Sequence, residues 1–185
     1  MNLIITREGG NKVKSSEILV VYYSLEGNTE LISTMLRDKL NCDLLKIEPQ
    51  KKERKGTLSK YIWGGKQVFL KEEPELKPYT LNPEDYQFLF IGTPVWAGSY
   101  TPPIRTFLKK HAIKEKEIAL FCCQKGHSVS TLDSLETLLS KDNNNVLHKG
   151  DFYEPNSKYL YDVRKQVETY IRNVITKTTI KNFSY

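Results

Sequence analysis

The sequence has few cysteines and no long run of apolar residues. Its 185 residues include three cysteines, Cys42, Cys122 and Cys123, whose spacing fits neither a metal site nor a disulfide framework. The last two are adjacent in an apolar stretch, which is typical of small buried side chains in a reducing compartment. No apolar run approaches the ~20 residues that a membrane helix needs. Because residues 1–17 also lack the apolar block of a secretory signal, we expect a cytoplasmic protein with no membrane contact. The cysteine spacing leads us to expect no bound metal.

Several common catalytic and nucleotide-binding motifs are absent as well. Without a Gly-x-x-x-x-Gly-Lys-Ser/Thr loop, a nucleoside triphosphate with magnesium is not the natural ligand. No Gly-x-Gly-x-x-Gly follows a predicted strand, which disfavours a dinucleotide site of the Rossmann type. A Gly-x-Ser-x-Gly elbow is also missing, and this disfavours a serine hydrolase.

Negative charge is the scarcer sign. The chain has 28 Lys and Arg against 22 Asp and Glu, a net charge of +6 and a pI of about 9.1. Such a balance can indicate a nucleic-acid partner. Here, however, the lysines are spread along the chain among acidic residues, and no nucleic-acid-binding motif is present. We therefore expect a solvated surface and no nucleic acid, although a basic face could attract an anionic substrate or an acidic protein.

Apolar runs of strand length alternate with segments of helical periodicity along most of the chain. The predicted strands are 17–23, 43–48, 86–92, 117–123 and one within 143–153; the predicted helices are 28–40, 59–70, 103–111, a segment containing Leu132, Leu135, Leu138 and Leu139, and 158–176. This alternation predicts an α/β fold, a three-layer α-β-α sandwich around a five-stranded parallel sheet. We expect one domain over residues 17–185, preceded by a loosely held extension over residues 1–16.

The first predicted strand ends in a small polar turn. Residues 24–29 read Ser-Leu-Glu-Gly-Asn-Thr, and an amphipathic helix follows, with Asn28 or Thr29 placed to cap it. A strand, a tight turn and a helix N-terminus bring backbone N–H groups together around an anion. Gly27 permits close approach of the backbone, and Ser24, Asn28 and Thr29 offer side-chain donors. This pattern predicts a phosphate site; a plain strand-to-helix turn is the alternative.

Two further loops carry unusual residues. Residues 93–103 follow the third predicted strand and place Trp96 in a loop bounded by proline and glycine, while Gln-Lys-Gly-His follows the fourth strand at 124–127. An indole in such a loop can stack on a flat heteroaromatic ring, or it can fold into the core beneath its own loop. The carboxyl ends of parallel strands lie at one edge of a sheet, so all three loops are predicted to form one site.

The first two loops together resemble those of the flavodoxin-like flavoproteins. Residues 24–29 resemble the phosphate loop of that family, Ser/Thr-x-Thr-Gly-Asn-Thr, and residues 92–103 are similar to the loop that holds the flavin ring. Glu26 stands where the family commonly has threonine, so we expect its carboxylate to turn outward from the phosphate. The resemblance covers about residues 17–176 and implies the flavodoxin strand order 2-1-3-4-5 and non-covalently bound FMN. The FMN-binding residues that it implies are Ser24, Leu25, Glu26, Gly27, Asn28, Thr29, Thr93, Pro94, Val95, Trp96, Ala97, Gly98, Tyr100, Gln124, Lys125 and Gly126.

The resemblance also implies electron transfer or oxidoreduction, with its partners open. One interpretation is a carrier that exchanges electrons with a redox protein, although flavodoxins are typically strongly acidic and this chain is basic. The second is an NAD(P)H-dependent reductase of quinones or other small acceptors. The third is a module that binds flavin or another phosphate ester without redox turnover. His127 is the candidate catalytic proton donor, with a solvent-facing loop histidine as the alternative, and a homodimer is left open.

Overall fold

The computed structural model describes residues 13–51, 72–126 and 130–180. These residues form one sheet with helices on both faces. The elements in chain order are β1 (Ile18–Tyr22), α1 (Asn28–Leu40), β2 (Asp43–Lys46), β3 (Phe88–Trp96), β4 (Ser99–Tyr100), α2 (Pro102–Lys110), β5 (Glu117–Gln124), α3 (Thr131–Leu139), β6 (Asn145–Tyr153) and α4 (Leu160–Ile180). The helix predicted at 59–70 and the candidate residue His127 lie outside the described residues.

The sheet follows the predicted topology. Its strand order is β2-β1-β3-β5-β6 with parallel neighbours throughout, and β4 pairs antiparallel with the end of β3. When β4 is set aside, this is the order 2-1-3-4-5, so the predicted parallel sheet of five strands is confirmed. The central strands are buried on both faces, which explains their continuous apolar runs.

Two apolar clusters separate the three layers. Successive strand residues point to opposite faces, so Val20 faces one cluster while Leu19 and Val21 face the other. Helices α1 and α4 cover the first face and helices α2 and α3 the second. The helix residues that make these contacts include Ile32, Leu36, Val163, Val167, Tyr170 and Val174 on the first face, and Ile104, Phe107, Leu132, Leu135 and Leu139 on the second. Within the described ranges, no helix has the length and apolar character needed to cross a bilayer.

The third strand is longer than its sequence pattern predicts. The expectation that it ends at Gly92 and that Trp96 lies in an irregular loop is wrong, because β3 continues to Trp96 and turns back into β4. Ala97 and Gly98 both have positive φ, 48° and 72°. This backbone conformation allows the two-residue turn that best matches the twist of a β-hairpin. The hairpin therefore holds Trp96 on a strand rather than on a loop.

The segment before β1 is packed in its last part. Val13 is buried and belongs to the cluster under α1 and α4, and residues 15–17 form a short 3-10 turn. Residues 1–12 lie outside the described residues, so the division of the chain at residue 16 stays a prediction.

Two histidines are expected to make stability depend on pH. Burial lowers the pKa of both His111 and His148 from its ordinary value of 6.5. Below that pH the unfolded chain binds more protons than the folded one, so the free energy of unfolding falls as pH drops through 6.5 toward the lower, folded pKa. We expect the urea midpoint to be lower at pH 5.5 than at pH 7.5.

A matched variant isolates one of these histidines. His148 Nε2 lies 3.3 Å from Asn173 Nδ2 on α4, a contact that a glutamine amide can replace without titrating. The His148→Gln variant should therefore lose less stability than the wild type between the two pH values. An equal loss in both proteins would contradict the assignment to His148.

Candidate functional site

The turn between β1 and α1 carries the predicted phosphate site. Gly27 is the N-cap of α1, with a left-handed φ of 88°, and its carbonyl accepts the Leu31 N–H at 2.9 Å. The predicted cap by Asn28 or Thr29 is wrong, because a glycine in this conformation begins the helix and no side chain caps it. The N–H groups of the first helical turn, together with the helix dipole, therefore remain available to an anion.

Hydrogen bonds within this turn determine which groups remain to bind a ligand. Ser24 Oγ accepts the Gly27 N–H at 3.1 Å, so the serine O–H is left as a donor. Asn28 Oδ1 accepts the main-chain N–H of Asn156 at 3.0 Å, which leaves the amide NH₂ as the donor. The acceptor oxygen of each side chain is thus bonded to a main-chain N–H of the protein, and each side chain keeps a donor for an anion.

Thr29 adds a buried hydroxyl that lacks a conventional partner. The residue is fully buried in the first turn of α1, and among the described residues no group lies in hydrogen-bond geometry with its Oγ1. The Cys123 thiol approaches it from the end of β5, but a thiol is a weak hydrogen-bonding group, and burial raises the pKa of this one. Buried hydroxyls are normally paired, so this orphan atom, the αL glycine and the uncapped helix end all fit a phosphate monoester.

The Glu26 carboxylate faces a lysine of another loop. Glu26 Oε2 lies 3.3 Å from Lys125 Nζ, and the same nitrogen lies 3.7 Å from Glu154 Oε1. All three side chains are partly exposed, so each pair contributes less than ~1 kcal/mol. The ion pairs nevertheless connect the loops that follow β1, β5 and β6. The Glu26 carbonyl accepts a hydrogen bond at 3.2 Å from Asn156 Nδ2, which lies in the turn after β6.

The hairpin places an indole beside the same turn. Trp96 is half-buried, and its ring meets the Tyr23 ring edge to face, with centroids 5.7 Å apart and an interplanar angle of 88°. Tyr23 is itself buried and immediately precedes Ser24. The sequence prediction overlooked Tyr23, although it is the last residue of the apolar run before the turn. Trp96 therefore packs on the cluster beneath it and also keeps an exposed part at the site edge.

The other predicted hairpin residues mostly stabilise the hairpin. Thr93 is fully buried, and its Oγ1 accepts the Thr101 N–H at 3.1 Å, which joins β3 to the start of α2. Val95 pairs with Tyr100 across the hairpin, and the Arg105 guanidinium lies 5.3 Å from the Tyr100 ring centroid. Pro94 is half-buried beside Thr93, while Ala97 and Gly98 are exposed at the tip. The Gly98 carbonyl accepts the Ser130 hydroxyl at 3.1 Å, so the tip is held against the start of α3.

The loop after β5 begins with an internally bonded glutamine. Gln124 Nε2 donates to Asp151 Oδ2 at 2.9 Å, and Gln124 Oε1 accepts the Gly126 N–H at 3.1 Å. Its side chain therefore shapes the loop, while its neighbour Lys125 reaches the phosphate turn as described above. Leu25, also predicted to contact the ligand, packs partly against the second apolar cluster. In the part of the chain that the structure describes, no cluster of His, Cys, Asp and Glu side chains could hold a metal ion.

The turn after β6 is a part of the site that sequence reasoning missed. Asn156 reaches the loop of residues 24–29 across a separation of 130 residues, and Glu154 lies beside the Lys125 that pairs with Glu26. The carboxyl end of β6 lies at the same sheet edge as those of β1, β3 and β5. This shared edge is the signal that could have identified the turn.

The sequence matches the model of a known protein family. A family model described as flavodoxin matches residues 17–169. Among curated protein sequences, none matches this chain.

Solved structures give the same fold. A protein of Bacteroides eggerthii assigned as a flavoprotein is 23% identical with a TM-score of 0.69, covering 87% of this chain and 98% of that one. A flavoprotein of Lactobacillus acidophilus in complex with FMN is 21% identical with a TM-score of 0.63, covering 74% and 93%. Oxidised flavodoxin 2 of Bacillus cereus is 15% identical with a TM-score of 0.58, covering 88% and 99%. At these identities the likeness concerns the fold.

Proposed function

Because this chain belongs to the flavodoxin family, we propose that it binds FMN non-covalently at the carboxyl edge of its sheet and acts in electron transfer. The observation that carries the proposal is the convergence of unused donors at residues 24–29. The Ser24 O–H, the Asn28 NH₂ and the buried Thr29 hydroxyl surround one uncapped helix N-terminus. One of the structurally similar proteins is a flavoprotein in complex with FMN.

The FMN phosphate is assigned to this turn. A phosphate monoester carries up to two negative charges at neutral pH and accepts several hydrogen bonds. The first-turn N–H groups of α1 and the three side-chain donors supply them, and the positive end of the helix dipole adds up to ~1 kcal/mol. Glu26 contributes its backbone, since its carboxylate is paired with Lys125.

The flavin ring is assigned to the space beside the hairpin. Trp96 presents an indole there, and its edge-to-face contact with Tyr23 fixes the ring orientation. Stacking on a flat heteroaromatic ring contributes about 0.5–1.5 kcal/mol beyond area burial. Bound FMN supplies the electron chemistry, while the apolar and aromatic contacts disfavour added negative charge on the ring and so lower its reduction potential.

The electron partner is proposed to be a protein with an acidic surface. Four of the large hydrophobic side chains exposed in the described part of the chain lie close together in sequence, at Tyr153, Tyr159, Leu160 and Tyr161. They flank the turn that reaches the phosphate loop, and Lys158 and Lys165 lie over two of the tyrosine rings. Exposed aromatic side chains are typical of protein interfaces, and the two lysines favour a partner with negative charge. These exposed side chains support a carrier over the alternative, an NAD(P)H-dependent reductase.

The three cysteines form no disulfide, which supports a reducing, cytoplasmic setting.

A flavin titration tests the proposed function. Purified protein stripped of ligand should quench FMN fluorescence saturably at 1:1 stoichiometry, and the bound flavin should retain its absorbance after gel filtration. Absence of both signals would overturn the proposal. If FMN binds, anaerobic mixing with NADPH separates the two uses, since rapid bleaching of the flavin would indicate a reductase and no bleaching over minutes is expected of a carrier.

A further inference from the structure

We propose that Asn156, in the turn after β6, is a positioning residue that orients Asn28 toward the phosphate of the ligand. This inference rests on the proposed function, and it adds a residue from the far end of the chain to the binding site. Asn156 contacts the phosphate turn and is not itself assigned a contact with the ligand.

Three contacts connect Asn156 to the phosphate turn. Its main-chain N–H donates to Asn28 Oδ1 at 3.0 Å, and its side-chain Nδ2 donates to the Glu26 carbonyl at 3.2 Å. The same Nδ2 lies 3.2 Å from the place where a Cβ on Gly27 would be, so it packs directly over the glycine. One residue therefore holds three consecutive residues of the turn.

The main-chain contact determines which way the Asn28 amide faces. A backbone N–H can only donate, so the atom of Asn28 opposite it must be the acceptor Oδ1. The NH₂ group is then on the other branch of the amide and remains for the ligand. With the opposite orientation, the amide oxygen would meet the phosphate oxygens, and two acceptors repel each other. The Asn156 main-chain N–H thus selects the productive orientation before any ligand arrives, and the Asn156 side chain, through its bond to Glu26 and its packing on Gly27, holds that N–H in place.

The turn that carries Asn156 is held in place by its own contacts. The Glu154 N–H donates to the Gln124 carbonyl at 3.0 Å, and the Glu154 carbonyl accepts both the N–H and the hydroxyl of Ser157, at 2.9 and 2.7 Å. Glu154 has a positive φ of 39°, and the neighbouring Pro155 is buried. Asn156 is therefore presented from a fixed turn, which reduces the entropy lost when the site becomes ordered around a ligand.

Comparison of two ligands separates positioning from general stability. Riboflavin lacks the phosphate of FMN, so the ratio of the two dissociation constants reports the phosphate contribution. The Asn156→Ala variant removes the bond to Glu26 and the packing on Gly27, a loss comparable to one net hydrogen bond of about 0.5–1.5 kcal/mol. We expect its FMN affinity to fall about 2- to 12-fold and its riboflavin affinity to stay within about twofold, both measured by fluorescence quenching.

A control outside the turn and a second variant complete the test. Thr169→Ala removes an exposed 3.0 Å hydrogen bond to the Lys165 carbonyl within α4, and it should leave both affinities unchanged. Asn156→Asp keeps the side-chain size and places an acceptor against the Glu26 carbonyl, so it should lower FMN affinity more than Asn156→Ala does. It is the variant to measure if the alanine variant does not fold.

The outcomes distinguish the two proposals. If wild-type protein binds FMN but neither Asn156 variant changes its affinity, the positioning role is overturned while the proposed function stands. Equal weakening of FMN and riboflavin would likewise overturn it, because that result would indicate a general structural role. A wild-type protein that binds neither flavin would overturn the proposed function itself.

Discussion

Replacing Asn28 by aspartate is expected to weaken FMN binding by about 100-fold or more. The carboxylate can still accept the Asn156 N–H at 3.0 Å, so the turn keeps its conformation. The NH₂ donor is lost, however, and a hydrogen bond to a charged group contributes about 1.5–3 kcal/mol. Repulsion between the new carboxylate and the phosphate adds ~1 kcal/mol or more. Together these terms correspond to about 100- to 1,000-fold in the dissociation constant.

The control places the same charge change at the other end of the same helix. Asn41 is the C-cap of α1 in a left-handed conformation that aspartate tolerates. Asn41→Asp should leave FMN affinity within about threefold of the wild-type value, and Asn28→Asp should leave riboflavin affinity similarly unchanged. An Asn28→Asp protein with wild-type FMN affinity, measured by fluorescence titration, would show that the phosphate is bound elsewhere.

Replacing Gly92 by alanine is expected to cost about 3 kcal/mol of folding stability. Gly92 lies in β3 against the neighbouring strand β5, and a Cβ there would lie 2.2 to 2.8 Å from atoms of the Phe121 ring. The ring cannot move away easily, because it is fully buried and packed against Phe152 and Tyr170. Overpacking of this kind costs about 1–3 kcal/mol and occasionally more. For a protein of this size, the midpoint temperature of thermal unfolding should therefore fall by about 6–12 °C.

A second glycine gives the matched comparison. At Gly126 an added Cβ would meet no atom within 4 Å, so Gly126→Ala should change the midpoint by less than about 2 °C. Both variants are measured by thermal unfolding without ligand. If Gly92→Ala were as stable as Gly126→Ala, the close packing of β3 on Phe121 would be wrong.

The sequence predicted the fold better than the details of the site. Continuous apolar runs such as 18–22 and 88–91 identify strands buried on both faces, and the amphipathic period of 28–40 identifies the helix that follows. These signals are local, so they gave the layers and most element bounds. The extension of β3 through Pro94 to Trp96 was missed because it depends on the positive φ of Ala97 and Gly98, which alanine rarely adopts.

The missed parts of the site depend on contacts between residues far apart in sequence. Ser24 and Asn28 were identified by type, but the hydrogen bonds that decide which of their atoms remain for a ligand involve Gly27 and Asn156. Thr93 was implied as a flavin contact by the resemblance of residues 92–103 to a flavin-holding loop, and the sequence did not show that its hydroxyl accepts the Thr101 N–H. Residue type thus predicted a candidate site, and tertiary hydrogen bonding determines which atoms of its residues remain for a ligand.

The contact between residues 28 and 156 also bears on the order in which the protein folds. It closes a loop of 128 residues. Contacts of such long range form late, because the chain loses conformational entropy in closing the loop before the contact can stabilise it. We expect the sheet core to assemble from neighbouring segments and the phosphate turn to acquire its bonds to Asn156 only after β6 has docked. A phosphate ester that binds only the completed turn would stabilise the whole folded chain, and saturation at 100 times the dissociation constant would add about 2.7 kcal/mol to the free energy of unfolding.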